Sequence, residues 1–263
     1  MTKKTSPPLQ VEISNKSILK MALPISMAIL IPQLNFVINN IFLGHFEQDS
    51  IALAVAGITG VYYLIFAAIG YGLNNGLQTL IARRAGENRP DEVGKLFGQG
   101  ILIGLLLALT GIILTYTLTP IVFGILIKDP TNLAKAIEFI QIRIWGLPFL
   151  YIYQLRNALL VGTNQSRYLV AGTIAEASSN VLLDYILIFG FAGIPALGFN
   201  GAAIASILAE AIGMLVIYWV ISRKGITTQF SLFAKVSWDT KIQRSILTIA
   251  SPLMFQHAIS IIS

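Results

Sequence analysis

The composition of this 263-residue chain excludes a water-exposed globular domain. Hydrophobic residues make up 55% of the sequence and charged residues only 11%, whereas soluble domains carry about 25% charged residues. The absence of cysteine excludes disulfides and thiolate metal sites, and two histidines are too few for a histidine metal cage. The net charge of +6 comes from short basic clusters between apolar runs, an arrangement that indicates membrane topology rather than nucleic-acid binding.

Apolar stretches long enough to cross a bilayer occur six times along the chain. A helix of about 20 apolar residues spans the hydrocarbon core. The predicted spans cover residues 18–43, 51–81, 96–123, 139–161, 168–191 and 201–221, and a seventh begins near residue 246. The predicted fold class is therefore all-α, a polytopic membrane helix bundle of six transmembrane helices plus the start of a seventh. Its main partner is the lipid bilayer.

Lysine and arginine residues are concentrated on one side of this bundle. The opposite side has only Lys128, Lys135 and, depending on where the fourth span begins, Arg143. The residues on the rich side are Lys3, Lys4, Lys16, Lys20, Arg83, Arg84, Arg89, Lys95, Arg167, Arg223, Lys224, Lys235, Lys241 and Arg244. Because cytoplasmic loops carry the excess of Lys and Arg, we expect the N-terminus and the loop 222–244 to be cytoplasmic.

A short repeat suggests two related lobes. Residues 17–24 read SILKMALP and residues 245–252 read SILTIASP, with five of eight positions identical. Chance is the alternative, because Ile, Leu and Ala are common here. Six spans separate the copies, so two such halves would be parallel repeats. The predicted organisation is a cytoplasmic tail (1–17), a six-helix lobe (18–221), a cytoplasmic linker (222–244) and the truncated start of a second repeat (245–263), with the C-terminal half missing.

Three acidic residues lie inside predicted spans: Glu176, Asp184 and Glu210. Charged groups are costly in a bilayer and usually face the bundle interior. Glu176, Asn180 and Asp184 are spaced i, i+4, i+8, which places them on one stripe of a helix. Burial favours the neutral form of a carboxyl group, so such a site can bind a proton or exchange it for Na⁺. The alternative is a structural carboxylate that is hydrogen-bonded to a neighbouring helix.

The first span carries a second polar group, formed by Gln33, Asn35, Asn39 and Asn40. Two prolines in that span permit bending. These amides could line a transport cavity or simply bond one helix to another. No Walker loop, nucleophile elbow, HExxH motif or zinc-ligand spacing is present, so nothing favours an enzyme.

Several segments of the sequence resemble the MATE (multidrug and toxic compound extrusion) family. They are residues 43–45 (LGH), 162–166 (GTNQS), 180–190 (NVLLDYILIFG) and 198–206 (GFNGAAIAS). The resemblance covers residue 18 to the end of the chain and is closest to the DNA-damage-inducible branch. It implies the first lobe of a twelve-span antiporter in the bacterial inner membrane, exporting small organic, often cationic, compounds in exchange for H⁺ or Na⁺. No cofactor beyond the coupling ion is implied.

Matched residue by residue, the resemblance also implies site roles. Asn180 and Asp184 fall on the family's cation-site positions, Ser206 falls where a hydroxyl often occurs, and Gln256 falls near a polar position of the seventh helix. Asn39 departs from the pattern, because this branch usually has an aspartate there. An amide cannot carry a proton or a negative charge, so Asp184, with Glu176, is expected to carry the coupling. Gln33, Asn35, Asn40 and Gln256 are expected to line the substrate cavity.

Two other functions remain open from the sequence. The first is a flippase for lipid-linked oligosaccharides from the same superfamily. Its cavity should carry several basic residues to hold pyrophosphate, whereas only Arg156 approaches a span interior. The second is a non-transporting truncated fragment.

Overall fold

The computed structural model describes residues 15–46, 50–191, 193–233 and 238–262. Within these ranges, no side chain is described at positions 16, 17, 21, 28, 29, 32–37, 39, 40, 43, 45, 46, 50–54 and 262. The described ranges contain nine α-helices and no strand beyond one isolated bridge pair, so the predicted all-α fold is confirmed. The helices are α1 Asn15–Phe46, α2 Ser50–Gly86, α3 Pro90–Leu126, α4 Pro130–Arg143, α5 Leu147–Gly162, α6 Leu169–Phe189, α7 Gly198–Arg223, α8 Ile226–Gln229 and α9 Thr240–Ile262.

The helices coincide with the predicted spans. Helices α1, α2, α3, α6 and α7 match the first, second, third, fifth and sixth spans, and α9 matches the start of the seventh. By length and composition, three helices of the described chain are apolar enough to cross a membrane: α2 from Val55, α3 and α7. Helix α3 exposes large aliphatic side chains along one face, including Leu109, Ile113 and Ile121, which are 54–64% exposed. Such a face suits contact with lipid tails.

The fourth span is longer than predicted and is broken. Its first helix, α4, begins at Pro130 rather than near residue 139, because Asp129 caps it by accepting a hydrogen bond from the Asn132 N–H (2.8 Å). A 3₁₀ turn, Ile144–Gly146, separates α4 from α5. Pro148, in the first turn of α5, lacks an N–H and its ring would clash with the carbonyl of residue 144 in a continuous helix. The break puts Arg143 at the end of a helix inside the bundle.

Helix α9 packs closely against α2. A Cβ atom on Gly72 would clash with the main chain of Met254, and one on Gly76 would lie 2.7 Å from the Ala250 Cα. Ala250 itself is fully buried. These two glycines therefore let the α2 and α9 backbones approach each other.

The linker between α7 and α9 is docked on the lobe over its described part. Ile226, Phe230 and Leu232 are buried, and the Phe230 carbonyl occupies the space that a Cβ on Gly94 would need. The Gln99 side-chain oxygen of α3 accepts hydrogen bonds from the Gln243 side chain (2.8 Å) and the Asp239 main chain (3.3 Å). The linker thus ties α7, α3 and α9 together.

Candidate functional site

The polar stripe predicted on the fifth span faces the interior of the bundle. Asp184 is fully buried, Asn180 is 7% exposed, and Glu176 is half-buried in α6. On the opposite face of α6, Leu182 is 60% exposed. The predicted division of this helix into a polar interior face and an apolar outer face is therefore what the structure shows. Helix α6 lies against α1 and α7.

Several buried polar atoms of this stripe have no hydrogen-bond partner in the part of the chain that the structure describes. Among the described residues, neither carboxylate oxygen of Asp184 forms a hydrogen bond, and neither do the Asn180 side-chain nitrogen and Glu176 Oε2. An unpaired buried polar atom is costly, and an unpaired buried charge is costlier still. The stripe therefore has the chemistry of a site for a proton or a cation.

Glu210, by contrast, is fully paired. Both of its carboxylate oxygens accept from the Arg143 guanidinium, at 2.5 and 3.1 Å. Both side chains are buried, with 7% of Glu210 and 13% of Arg143 exposed. The bidentate geometry matches the planar guanidinium to the carboxylate. The sequence had suggested no partner for Glu210 and had left open whether Arg143 belongs to the side poor in Lys and Arg. The structure pairs Arg143 with Glu210 inside the bundle.

Two further residues hold this ion pair in place. The Tyr63 hydroxyl of α2 donates to Glu210 Oε1 (3.2 Å), and the Arg143 guanidinium lies 3.8 Å from the centroid of the Tyr63 ring. Gly146, in the 3₁₀ turn, leaves space for the pair, because a Cβ there would clash with Arg143 Nη1 and Glu210 Oε2. The pair joins α4, α7 and α2 at the point where the fourth span breaks.

The charges in this region do not balance. Arg143 is within electrostatic reach of Glu176 and Asp184 as well as Glu210. Its geometry commits it to Glu210, which leaves two carboxyl groups of α6 without a cationic partner among the described side chains. Each of these groups would be stabilised by binding a proton or a monovalent cation.

The other predicted site residues lie on α1, α7 and α9. Ser206 is half-buried on α7, one turn before Glu210 and on the same face. Gln256 is exposed on α9. The remaining four predicted site residues lie in α1, where their side chains are not described: Gln33, Asn35, Asn39 and Asn40.

Three buried amides on other helices were not predicted from the sequence. Asn74 of α2 and Gln154 and Asn157 of α5 have side-chain atoms that form no hydrogen bond within the described residues. The signal that could have found them is an amide side chain inside a predicted apolar span, which also singles out the asparagines of the first span. The described residues contain no group of three His, Cys, Asp or Glu side chains that could hold a metal.

Comparison with known proteins shows what this arrangement is similar to. The family model described as MatE matches residues 24–186. A probable multidrug resistance protein NorM from Synechocystis sp. is 29% identical over 241 residues, covering 90% of this chain and 51% of that protein. The multidrug resistance protein MdtK from Yersinia pestis is 24% identical, covering 86% and 50%. The chain thus spans about half the length of the curated relatives it matches.

Solved structures show the same fold. A multidrug resistance MATE family transporter of the MOP superfamily, in an outward-facing conformation, superposes with a TM-score of 0.83 at 21% identity, covering 97% of this chain and 56% of that one. A MOP superfamily transporter from Pyrococcus furiosus also gives a TM-score of 0.83, at 19% identity and the same coverage.

Proposed function

Because the chain belongs to the MatE family, we propose that it forms one lobe of a cation-coupled antiporter that exports small organic, often cationic, compounds. The observation that carries the proposal is the buried carboxylate of Asp184, which has no hydrogen-bond partner among the described residues and lies on one stripe with Glu176 and Asn180. The antiporter would lie in the bacterial inner membrane, because the NorM and MdtK proteins that the chain resembles come from bacteria. It would perform no chemical step on its substrate.

In this proposal Asp184 binds the coupling ion, H⁺ or Na⁺, and Glu176 assists from about two turns away on the same stripe. Asn180, Asn39 and Ser206 supply neutral oxygens, and Gln33, Asn35, Asn40 and Gln256 line the substrate cavity. Exchange follows from charge balance, because a cationic substrate and the coupling ion compete to neutralise the same carboxylates. The ion that occupies Asp184 then determines whether the cavity attracts the cationic substrate.

We propose further that a second lobe of similar size completes the cavity. The relatives are about twice as long as this chain, and parallel-repeat transporters move one half against the other around a shared site. Helix α9, the start of the second repeat, packs mainly on α2 and α3. The second lobe would continue from that side of the bundle.

The flippase alternative gains no support from the buried arginines. Pyrophosphate binding needs guanidinium groups that are free inside the cavity. Of the two buried arginines that the structure describes, Arg143 is committed to Glu210, and Arg156 turns toward Tyr218, a residue that is 45% exposed on the surface of α7.

The test is efflux by the whole transporter that contains this lobe, in vesicles with an imposed H⁺ or Na⁺ gradient. Asp184→Asn keeps the shape of the side chain and removes its charge, so we expect loss of ion-driven efflux with normal membrane insertion. Glu176→Gln should cause a smaller loss. Glu138→Gln, which removes an exposed carboxylate of α4, is the matched control and should transport normally. Efflux by Asp184→Asn at the unmodified rate under both gradients would overturn the proposal.

A further inference from the structure

Four cations lie in the second half of α5, just before α6 and at the end of α7, on the Lys/Arg-rich side of the bundle. They are Arg156 of α5, Arg167 just before α6, and Arg223 and Lys224 at the end of α7. None of the four forms a salt bridge with any described residue. We call these four residues and the rings that contact them the α5–α7 basic face.

Other basic residues on this side of the bundle do form salt bridges. Arg83, Arg84 and Arg89, at the turn between α2 and α3, pair with Glu87 and Glu92 at distances of 2.6–3.7 Å. The hydrogen bond from Arg84 lowers the pKa of the Glu87 carboxyl group. The cluster at the α2–α3 turn thus has acidic partners, whereas the α5–α7 basic face has none among the described residues.

Aromatic rings take the place of acidic partners on the α5–α7 basic face. The Arg167 guanidinium and the Lys224 ammonium lie 4.7 and 5.9 Å from the centroid of the Tyr168 ring. Arg223 lies 5.4 Å from the Trp219 ring, which is 59% exposed. Rings hold cations by their quadrupole without neutralising them, so the positive charge stays available to an anion.

Arg156 lies deeper in the bundle than the end of α7. It is 7% exposed, donates a hydrogen bond to the Met214 carbonyl, and lies 5.2 Å from the Tyr218 ring. Tyr218 precedes Arg223 by five residues, about 7.5 Å along the axis of α7. Helix α7 has 26 residues, about 39 Å, so it extends past the roughly 30 Å hydrocarbon core and its end reaches the headgroups. Arg156 therefore lies deeper along α7 than Arg223 and Lys224, at the level of the Tyr218 ring.

We propose that the α5–α7 basic face binds the phosphate of an anionic phospholipid from the adjoining membrane leaflet. Trp219 and Tyr218, both on the exposed surface of α7, mark the interfacial level at which such a headgroup lies. The lipid tails would lie along neighbouring exposed aliphatic residues such as Leu215, which is 58% exposed.

Trp219 provides a direct test in the purified chain. Trp145→Phe and Trp238→Phe leave Trp219 as the only tryptophan, and its fluorescence is titrated in mixed micelles with brominated phosphatidylglycerol or brominated phosphatidylcholine. Phosphatidylglycerol should quench Trp219 at a lower mole fraction than phosphatidylcholine. Lys224→Gln, at an exposed position, should weaken that preference about fivefold, the effect of one basic residue near an anionic surface, and Arg156→Gln should do the same.

Two controls distinguish a lipid site on this face from general attraction to a basic surface and from a site for soluble phosphate. Arg83→Gln removes a paired cation from the same side and should leave the preference for phosphatidylglycerol unchanged. Equal quenching by the two lipids, or an equal effect of Arg83→Gln and Lys224→Gln, would overturn the proposal. Loss of the preference in millimolar inorganic phosphate would overturn it too, since the site would then serve a soluble phosphate. The measurement requires no transport, so its outcome is independent of the proposed efflux function.

Discussion

The three carboxyl residues inside the membrane differ in what surrounds them. Glu210 accepts two hydrogen bonds from Arg143 and one from Tyr63, whereas both oxygens of Asp184 are unpaired within the described structure. We infer a division of roles in which Glu210 fixes α7 to α4 and α2, and Asp184 exchanges ions. A carboxylate held by a bidentate arginine is a poor ion exchanger, because releasing it would leave the guanidinium buried and unpaired.

The ion pair makes a prediction about stability. Arg143→Gln leaves the Glu210 carboxylate buried without a cation, and Glu210→Gln leaves the guanidinium in the same state, so each should destabilise the lobe by about 3–5 kcal/mol. The double variant removes both charges and should recover most of that loss. Thermal unfolding of the purified chain in detergent measures all three. Additive losses in the double variant would show that the two residues do not act as a pair.

The sequence predicted one part of this site and could not predict the other. The Glu176–Asn180–Asp184 stripe follows from helical spacing alone, because all three residues belong to one helix. The Arg143–Glu210 pair joins residues 67 positions apart. It depends on where α4 begins and ends, which the Asp129 cap and the Pro148 break respectively decide, and on the rotation of α7 against α4. Neither rotation nor the depth of a helix end is encoded in a hydropathy pattern.

At the scale of the elements, glycine positions determine which helices touch. Gly72 and Gly76 are one helical turn apart, a spacing that permits close approach of another helix, but their partner could only come from the structure. It is α9, through Met254 and Ala250. The linker is a second example. The sequence predicted only a loop between two spans, whereas Phe230 and Leu232 of that loop are buried against the lobe.

The α2–α9 contact predicts opposite effects for two similar substitutions. Gly72→Ala would push a methyl group into the Met254 main chain, and such overpacking costs about 1–3 kcal/mol. Gly98→Ala adds the same methyl group in α3, where no described atom outside the glycine's own stretch of helix lies within 4 Å. It should be neutral or stabilising by up to about 1 kcal/mol, because alanine is the better helix former. Hydrogen exchange of the α9 amides should accelerate in Gly72→Ala and stay unchanged in Gly98→Ala. Equal exchange in both variants would mean that α9 does not depend on this contact.

At the scale of the whole molecule, the bundle has two chemically different ends. One end carries the paired cluster of Arg83, Arg84 and Arg89 and the α5–α7 basic face, and the other carries the α3–α4 turn with Lys128 and Asp129. The structure places Arg143 inside the bundle, which removes one of the few cations assigned to the second end. The asymmetry on which the orientation rests is therefore larger than the sequence suggested.

This asymmetry predicts that the Lys/Arg-rich end faces the cytoplasm. The chain has no cysteine, so single cysteines can report the side of the membrane. Lys128→Cys, before α4, and Lys224→Cys, after α7, both change exposed residues that lie outside the apolar core. A membrane-impermeant maleimide added to intact cells should label Lys128→Cys at once and Lys224→Cys only after permeabilisation.

An odd number of spans separates the two positions in the observed helix order, since α4–α5, α6 and α7 form three crossings. Labelling of both cysteines from the same side would therefore show that one of these three segments does not cross the membrane, and labelling in the reverse order would show that the lobe is inserted the other way round.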